Sequence, residues 1–143
     1  MWKYKVFIDD TIPKYLVAPN KPDYITDTHC LWSKLQSDIY EVVVSETLAC
    51  THNDIFKQLE FCSVPVSSDV LDLTGRISDL GIVDRPNVVM QDMAAALLSG
   101  CDFFVSWDYE NIVNVKTIRT AKIIAMLEGF KDIVICTPTM FIM

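Results

Sequence analysis

Four stretches of the chain are apolar without alternation and have the length of strands: Tyr4 to Asp9 ("YKVFID"), Tyr40 to Glu46 ("YEVVVSE"), Asp102 to Asp108 ("DFFVSWD") and Asp132 to Thr137 ("DIVICT"). Each is rich in β-branched or aromatic residues and bounded by polar groups, which predicts strands. Hydrophobicity that is continuous rather than alternating predicts strands covered on both faces, the habit of parallel sheets. Between them, apolar positions recur at helical spacing over Thr26 to Ser37, Asp69 to Leu80, Val88 to Ser99 and Val115 to Leu127. Strand followed by helix, repeated, predicts an α/β fold.

Residues at the ends of these segments agree with the parse. Thr26 or Asp27 is expected to cap the first helix, Ser67 or Ser68 the second and Asn87, behind Pro86, the third. Gly81, Gly100 and Gly129 fall where helices should stop. The turn Ala18 to Asp23 ("APNKPD") is the only proline-rich stretch and is too short for an interdomain linker. The expectation is one domain over residues 1–143.

Composition narrows the class. The chain is 51% hydrophobic and 22% charged, as expected of a globular domain. No apolar run approaches the roughly 20 residues that span a bilayer, and the N-terminus carries acids where a signal peptide carries its apolar core. A cytoplasmic protein with no membrane contact is expected. The five cysteines are widely spaced without a C-x-x-C pair, and there are two isolated histidines, so reduced, mostly core thiols are expected and zinc is not. Four unclustered glycines exclude the phosphate-cradling loops of P-loop or dinucleotide enzymes.

Twelve basic against 19 acidic residues, a net charge of −7, argue against binding nucleic acid by bulk electrostatics and direct attention to where the acids sit. Three of the four predicted strands run into carboxylates at their C-terminal ends: Asp9 with Asp10, Glu46, and Asp108. Sites in open α/β sheets lie outside that edge. A further acid, Asp92 in "NVVMQDMAAALLSG", has Val88, Val89, Ala95 and Ala96 as its helical neighbours. A carboxylate on an apolar helix face must be paired, protonated or bound to a cation. Pairing with Arg76 or Arg85 is the structural alternative to a cation. Hard oxygen ligands without His or Cys select Mg²⁺ or Mn²⁺, ions suited to phosphodiester hydrolysis. Because neighbouring strand residues point to opposite faces, Asp9 and Asp10 need not share the site, and Asp9 is the expected ligand.

These residues carry a family resemblance. "VFIDDTIPKYL" resembles the opening strand of the PIN-domain nucleases, a family that includes the VapC toxins of bacterial toxin–antitoxin pairs. "QDMAAALLSGCDFFVSWDYENIVN" resembles their later helix–strand block, and "SWDYENIVNVKTIR" is similar to the motif of short VapC-like chains. The resemblance runs from about Lys5 to the C-terminus. It implies a three-layer fold with a central, mostly parallel sheet flanked by helices, and a Mg²⁺- or Mn²⁺-dependent ribonuclease site. Asp9, Asp92 and Asp108 take the acidic positions as catalytic and metal-binding residues. It further implies an RNA substrate, an antitoxin partner and a homodimer.

Two positions depart from the family pattern. Thr51 stands where the family places a helix Glu, and Ala95 where it often has His. Glu46 is the candidate catalytic substitute for the missing acid, although a first-turn acid also favours the helix dipole. The departures imply weakened activity and keep open a catalytically impaired scaffold that binds RNA or a protein partner. A phosphorelay receiver domain is disfavoured, because Glu46 stands where the phosphoacceptor Asp would end a middle strand. Lys116, Arg119 and Lys122 form a basic stripe on the last predicted helix, either a solvated face or a substrate-binding patch that steers phosphate. Trp107 and Tyr109, flanking Asp108, are candidates for stacking on bases, with core packing the alternative for Trp107.

Overall fold

The computed structural model describes residues 3–16, 20–80 and 86–143. Five strands, β1 (Tyr4–Ile8), β2 (Tyr40–Ser45), β3 (Phe61–Val64), β4 (Phe103–Val105) and β5 (Val134–Cys136), form one sheet in the order β3-β2-β1-β4-β5. All four pairings are parallel. The helices are α1 (Thr11–Tyr15), α2 (Pro22–Leu35), α3 (Glu46–Thr51), α4 (Asn53–Phe56), α5 (Ser68–Asp79), α6 (Asn87–Leu98), α7 (Val115–Glu128) and α8 (Pro138–Ile142). The fold is three-layered α/β, as expected.

Alternation along β1 divides the core. Val6 and Ile8 face a cluster with α2, α3 and α4 that includes Leu31, Trp32, Leu48 and Phe56. Phe7, between them, faces the opposite cluster, where α5, α6 and α7 supply Leu73, Ile77, Met93, Ala94 and Ile124. Every residue from Val6 to Ile8 is fully buried because both faces are covered, and this is why the strand reads as an uninterrupted apolar run. Helix α6 is buried along five consecutive residues, Met93 to Leu97, so it packs on most of its circumference.

Strand β3 was outside the expected set. It is an edge strand paired only with β2, and Cys62 and Ser63 in its middle are exposed, so it lacks an apolar signature. The short helices α1, α3, α4 and α8 were also unanticipated. Pro13 is compatible with α1 because it occupies the third helical position, where no backbone N–H is needed.

Helix ends required corrections. Helix α2 starts at Pro22, four residues before Thr26, with proline at the first position and Asp23 in the first turn. Thr26 donates its hydroxyl hydrogen to the Pro22 carbonyl and Asp27 accepts from Thr139, so neither is a cap. Ser67 does cap α5, accepting from the Val70 N–H. Pro86, rather than Asn87, is the N-cap residue of α6, with no side-chain cap bond. Gly81 and Arg85 lie outside the described residues, as does part of the turn at Ala18 to Asp23. Of the five cysteines, all free, only Cys101 and Cys136 are buried; Cys30, Cys50 and Cys62 are exposed, so most are not core residues. Among the described residues, no helix is long and apolar enough to cross a membrane.

Gly129 ends α7 in the left-handed region at φ 73°, where its N–H bonds the Ala125 carbonyl. A Cβ there would meet no atom within 4 Å, so the barrier to substitution is backbone strain alone. Gly129→Ala is therefore expected to fold with α7 intact and to lose about 1 kcal/mol in chemical denaturation.

Candidate functional site

The strand order reverses direction between β1 and β4: β2 and β3 extend the sheet to one side of β1, and β4 and β5 to the other. Crevices outside the carboxyl ends of strands form at such a switch point. Asp9 follows β1 there, and Ser106 follows β4.

Asp9 is 5% exposed and accepts hydrogen bonds on both oxygens. Its Oδ1 receives the Thr11 hydroxyl at 2.5 Å and the Thr11 N–H at 3.1 Å, and its Oδ2 receives the Ser106 hydroxyl at 2.6 Å. Having donated to Asp9, the two hydroxyls accept in turn. Thr11 Oγ1 accepts the Trp107 N–H, and Ser106 Oγ the Asp108 N–H, each at 2.9 Å. One carboxylate thus ties the end of β1 to the two residues that follow Ser106. Burial pushes the Asp9 carboxyl up to about 7; the bonds from Ser106 and Thr11 pull it down, and the charge of Asp10 pushes the same way as burial.

Asp92 reaches the same neighbourhood from α6. It forms no hydrogen bond or ion pair within the described residues, and Arg76, its expected alternative partner, is engaged by Glu128 through contacts of 2.6 and 3.2 Å. Burial, then the charges of Asp9 and Asp10, push the Asp92 carboxyl up to about 7. Asp10, exposed and immediately before α1, completes the group. The strand ends at Ile8, so strand alternation does not separate Asp9 from Asp10: both carboxylates act on Asp92.

Asp108 is joined to Asp9 only through Ser106, and by its backbone. Its carboxylate accepts the Asn111 N–H at 2.9 Å and the Asn111 side-chain amide at 3.1 Å, while its carbonyl accepts from Ile112 and Val113. It organises the turn into α7. Glu46 is the exposed first residue of α3, behind the Ser45 cap. Lys116, Arg119 and Lys122 are exposed on α7. Trp107 is buried: its ring stacks on Tyr24 at 3.9 Å and its indole N–H donates to Thr28, whereas Tyr109 is exposed.

A cleft of about 280 Å³ opens beside the acids, between α3, the end of β3, α5 and α6. Asp10 and Asp92 line it, with Ser45, Thr47, Thr51 and His52 on one side and an apolar wall that includes Val64, Pro65, Val66 and Val70 on the other. Glu46, Asp108 and the basic stripe are not among its lining residues. Asp10, His52 and Ser106 were not anticipated as site residues. The signal for Ser106 was present in its place at a strand's end; nothing local marks His52, which reaches the cleft only through the packing of α3.

Among the described residues, no three His, Cys, Asp or Glu side chains are set around one point as ligands. The donor set nevertheless fits a hard divalent cation. It is all oxygen, it contains a partly buried carboxylate with no partner among the described residues, and two of its members have raised proton affinities, so that a cation would compete with protons for them. Mg²⁺ keeps several waters and is held by one or two carboxylates at many sites. No protein-family model matches the chain, and no curated protein matches it.

Two outcomes follow from these bonds and shifts. Ser106→Ala removes a donor to Asp9 and the acceptor of the Asp108 N–H; a loss of about 1–3 kcal/mol in denaturant melts is expected, with the Asp9 carboxyl moving further up in an NMR titration. Both raised carboxyls bind protons more tightly in the folded chain than their ordinary value of 3.8. Their contribution to stability is therefore full below about pH 4 and is lost as pH rises through about 7. Thermal melts of Asp92→Asn should show a smaller decline between pH 5 and pH 8 than the parent chain.

Proposed function

We propose that this chain is a divalent-metal-dependent endoribonuclease of the PIN type, with weakened activity. One observation carries the reading: Asp92, a partly buried acid with no partner among the described residues, feels the charges of Asp9 and Asp10 and lines one cleft with Asp10, at the carboxyl edge of a parallel sheet where the strand order reverses. Among the described residues no basic side chain forms an ion pair with the cluster, and a divalent cation would compensate it. Asp9 and Asp92 would hold Mg²⁺ or Mn²⁺, with Asp10 beside them. A divalent ion supplies an activated water and charge stabilisation for phosphodiester hydrolysis when bound. Asp9 stays oriented by its three hydrogen bonds.

Weakened activity is supported by three positions. The Thr51 hydroxyl is bonded to the Thr47 carbonyl and brings no acid to the cleft. Glu46 is exposed outside the cleft lining, and Asp108, whose carboxylate accepts from Asn111, does not line the cleft either. The engagement of Asp108 also favours the second reading, a scaffold that binds RNA or a protein partner without cutting. An antitoxin partner, a homodimer, a cytoplasmic location and phosphate steering by Lys116, Arg119 and Lys122 accompany the PIN reading as parts of the same proposal.

Calorimetric titration with Mn²⁺ and cleavage of single-stranded RNA test it together. The parent chain should bind Mn²⁺ and cut slowly, and Asp9→Asn and Asp92→Asn should each weaken Mn²⁺ binding by at least about tenfold. Thr51→Glu should strengthen binding and raise the rate, since a missing catalytic group commonly costs about 10²–10⁴ in rate. Undiminished Mn²⁺ affinity in both Asn variants would remove the metal site. RNA binding with no cleavage at any metal concentration would favour the scaffold.

A further inference from the structure

The cleft beside the acids has chemistry that the cation does not use. At about 280 Å³ it falls just below the roughly 300–1,000 Å³ of pockets that take drug-sized ligands, so it is suited to one small ring system. Its apolar side is built from Val64, Pro65 and Val66, which lead from β3 toward α5, and from Val70 on α5. Val66 and Val88, at 49% and 67% exposed, leave apolar surface open at the cleft.

The polar side contains groups that folding has left unused. Neither the Gln91 amide nor the His52 ring forms a hydrogen bond within the described residues, and both line the cleft. An amide and an imidazole each offer a donor and an acceptor, whereas Asp10, at the same cleft, offers acceptors only when ionised. Apolar walls combined with mixed donors and acceptors suit the face and edge of a heteroaromatic base. A carboxylate acceptor selects for an exocyclic amino group, as Asp and Glu do when they read cytosine, and a Gln amide matches the edge of adenine.

We propose that this cleft is a nucleobase subsite that takes an amino-bearing base of the RNA while the neighbouring phosphate lies at the acids. The choice of ligand class rests on the ribonuclease reading above. The subsite itself needs no cation: the base is held by Val64, Val66, Gln91 and Asp10, and Asp9 and Asp92 remain with the reacting phosphate. The last step of selection is unfavourable for uracil, whose edge places carbonyl oxygens where adenine and cytosine place amino groups, against the Asp10 carboxylate.

The test uses nucleosides, which lack phosphate, and the whole chain kept metal-free with chelator. Adenosine, cytidine and uridine are titrated separately and followed by two-dimensional NMR. Saturable shifts are expected on α3, α6 and residues 64–66, with adenosine or cytidine binding about tenfold tighter than uridine. Gln91→Ala should weaken the preferred nucleoside about tenfold while leaving Mn²⁺ affinity unchanged. If that variant does not fold, the shift map and the nucleoside preference of the parent chain decide the matter. No saturable binding, equal or tighter binding of uridine, or the same shifts produced by cyclohexanol would overturn the subsite. Nucleoside binding as expected with no Mn²⁺ binding would leave the subsite standing and remove the metal reading; Mn²⁺ binding without nucleoside binding would do the reverse.

Discussion

A buried carboxylate at the end of the central strand is the constraint around which the site is organised. Asp9 cannot reach water freely, so its two oxygens must be satisfied from within, and the hydroxyls of Thr11 and Ser106 do this. Each hydroxyl has one hydrogen to donate; having donated it, each accepts a backbone N–H from residue 107 or 108. The loop after β4 is thereby held against the start of α1. With Trp107 fixed in this way, its ring packs on Tyr24 and its indole N–H reaches Thr28, which connects the same network to α2.

Placing Asp9 there has an electrostatic cost that spreads to its neighbours. The hydrogen bonds offset desolvation only in part, and the carboxyl remains raised. Asp92 has no such bonds among the described residues, and the charges of two other acids add to the effect of its burial. The parallel sheet makes this arrangement possible, because all five strands end at one edge and the reversal of order beside β1 leaves a crevice that helices do not fill. Desolvation and like-charge repulsion both act against the ionised form of these carboxyls at this edge.

The other two candidate acids lie apart from the cleft. Asp108 sits two residues beyond Ser106, close to the network in sequence, yet its carboxylate accepts from Asn111 in the turn that launches α7 and does not line the cleft. Glu46 follows the Ser45 cap and faces solvent at the first turn of α3, where a negative charge favours the helix dipole. Helix α3 instead presents Thr47, Thr51 and His52 to the cleft. The acid-rich end of the sheet therefore has an apolar, hydrogen-bonding annex on the side of β2 and β3.

The sequence by itself determined the layered α/β class, four of the five strands and the four long helices, because continuous apolar runs and helical periodicity are recorded in neighbouring residues. It also marked Asp92 as an acid out of place, since its helical neighbours are apolar whatever the fold. It could not mark β3, whose residues are half exposed at a sheet edge, or the first turn of α2, whose start depends on proline chemistry rather than on apolar spacing. Only the tertiary structure decided that Asp9 and Asp10 both bear on Asp92, that Asp108 is turned to Asn111, and that Gln91 and His52 meet at one cleft. The physical reason is that charge interaction and hydrogen bonding depend on distance in space, and Asp9 and Ser106 become partners only when two strands 97 residues apart in their contact are laid side by side.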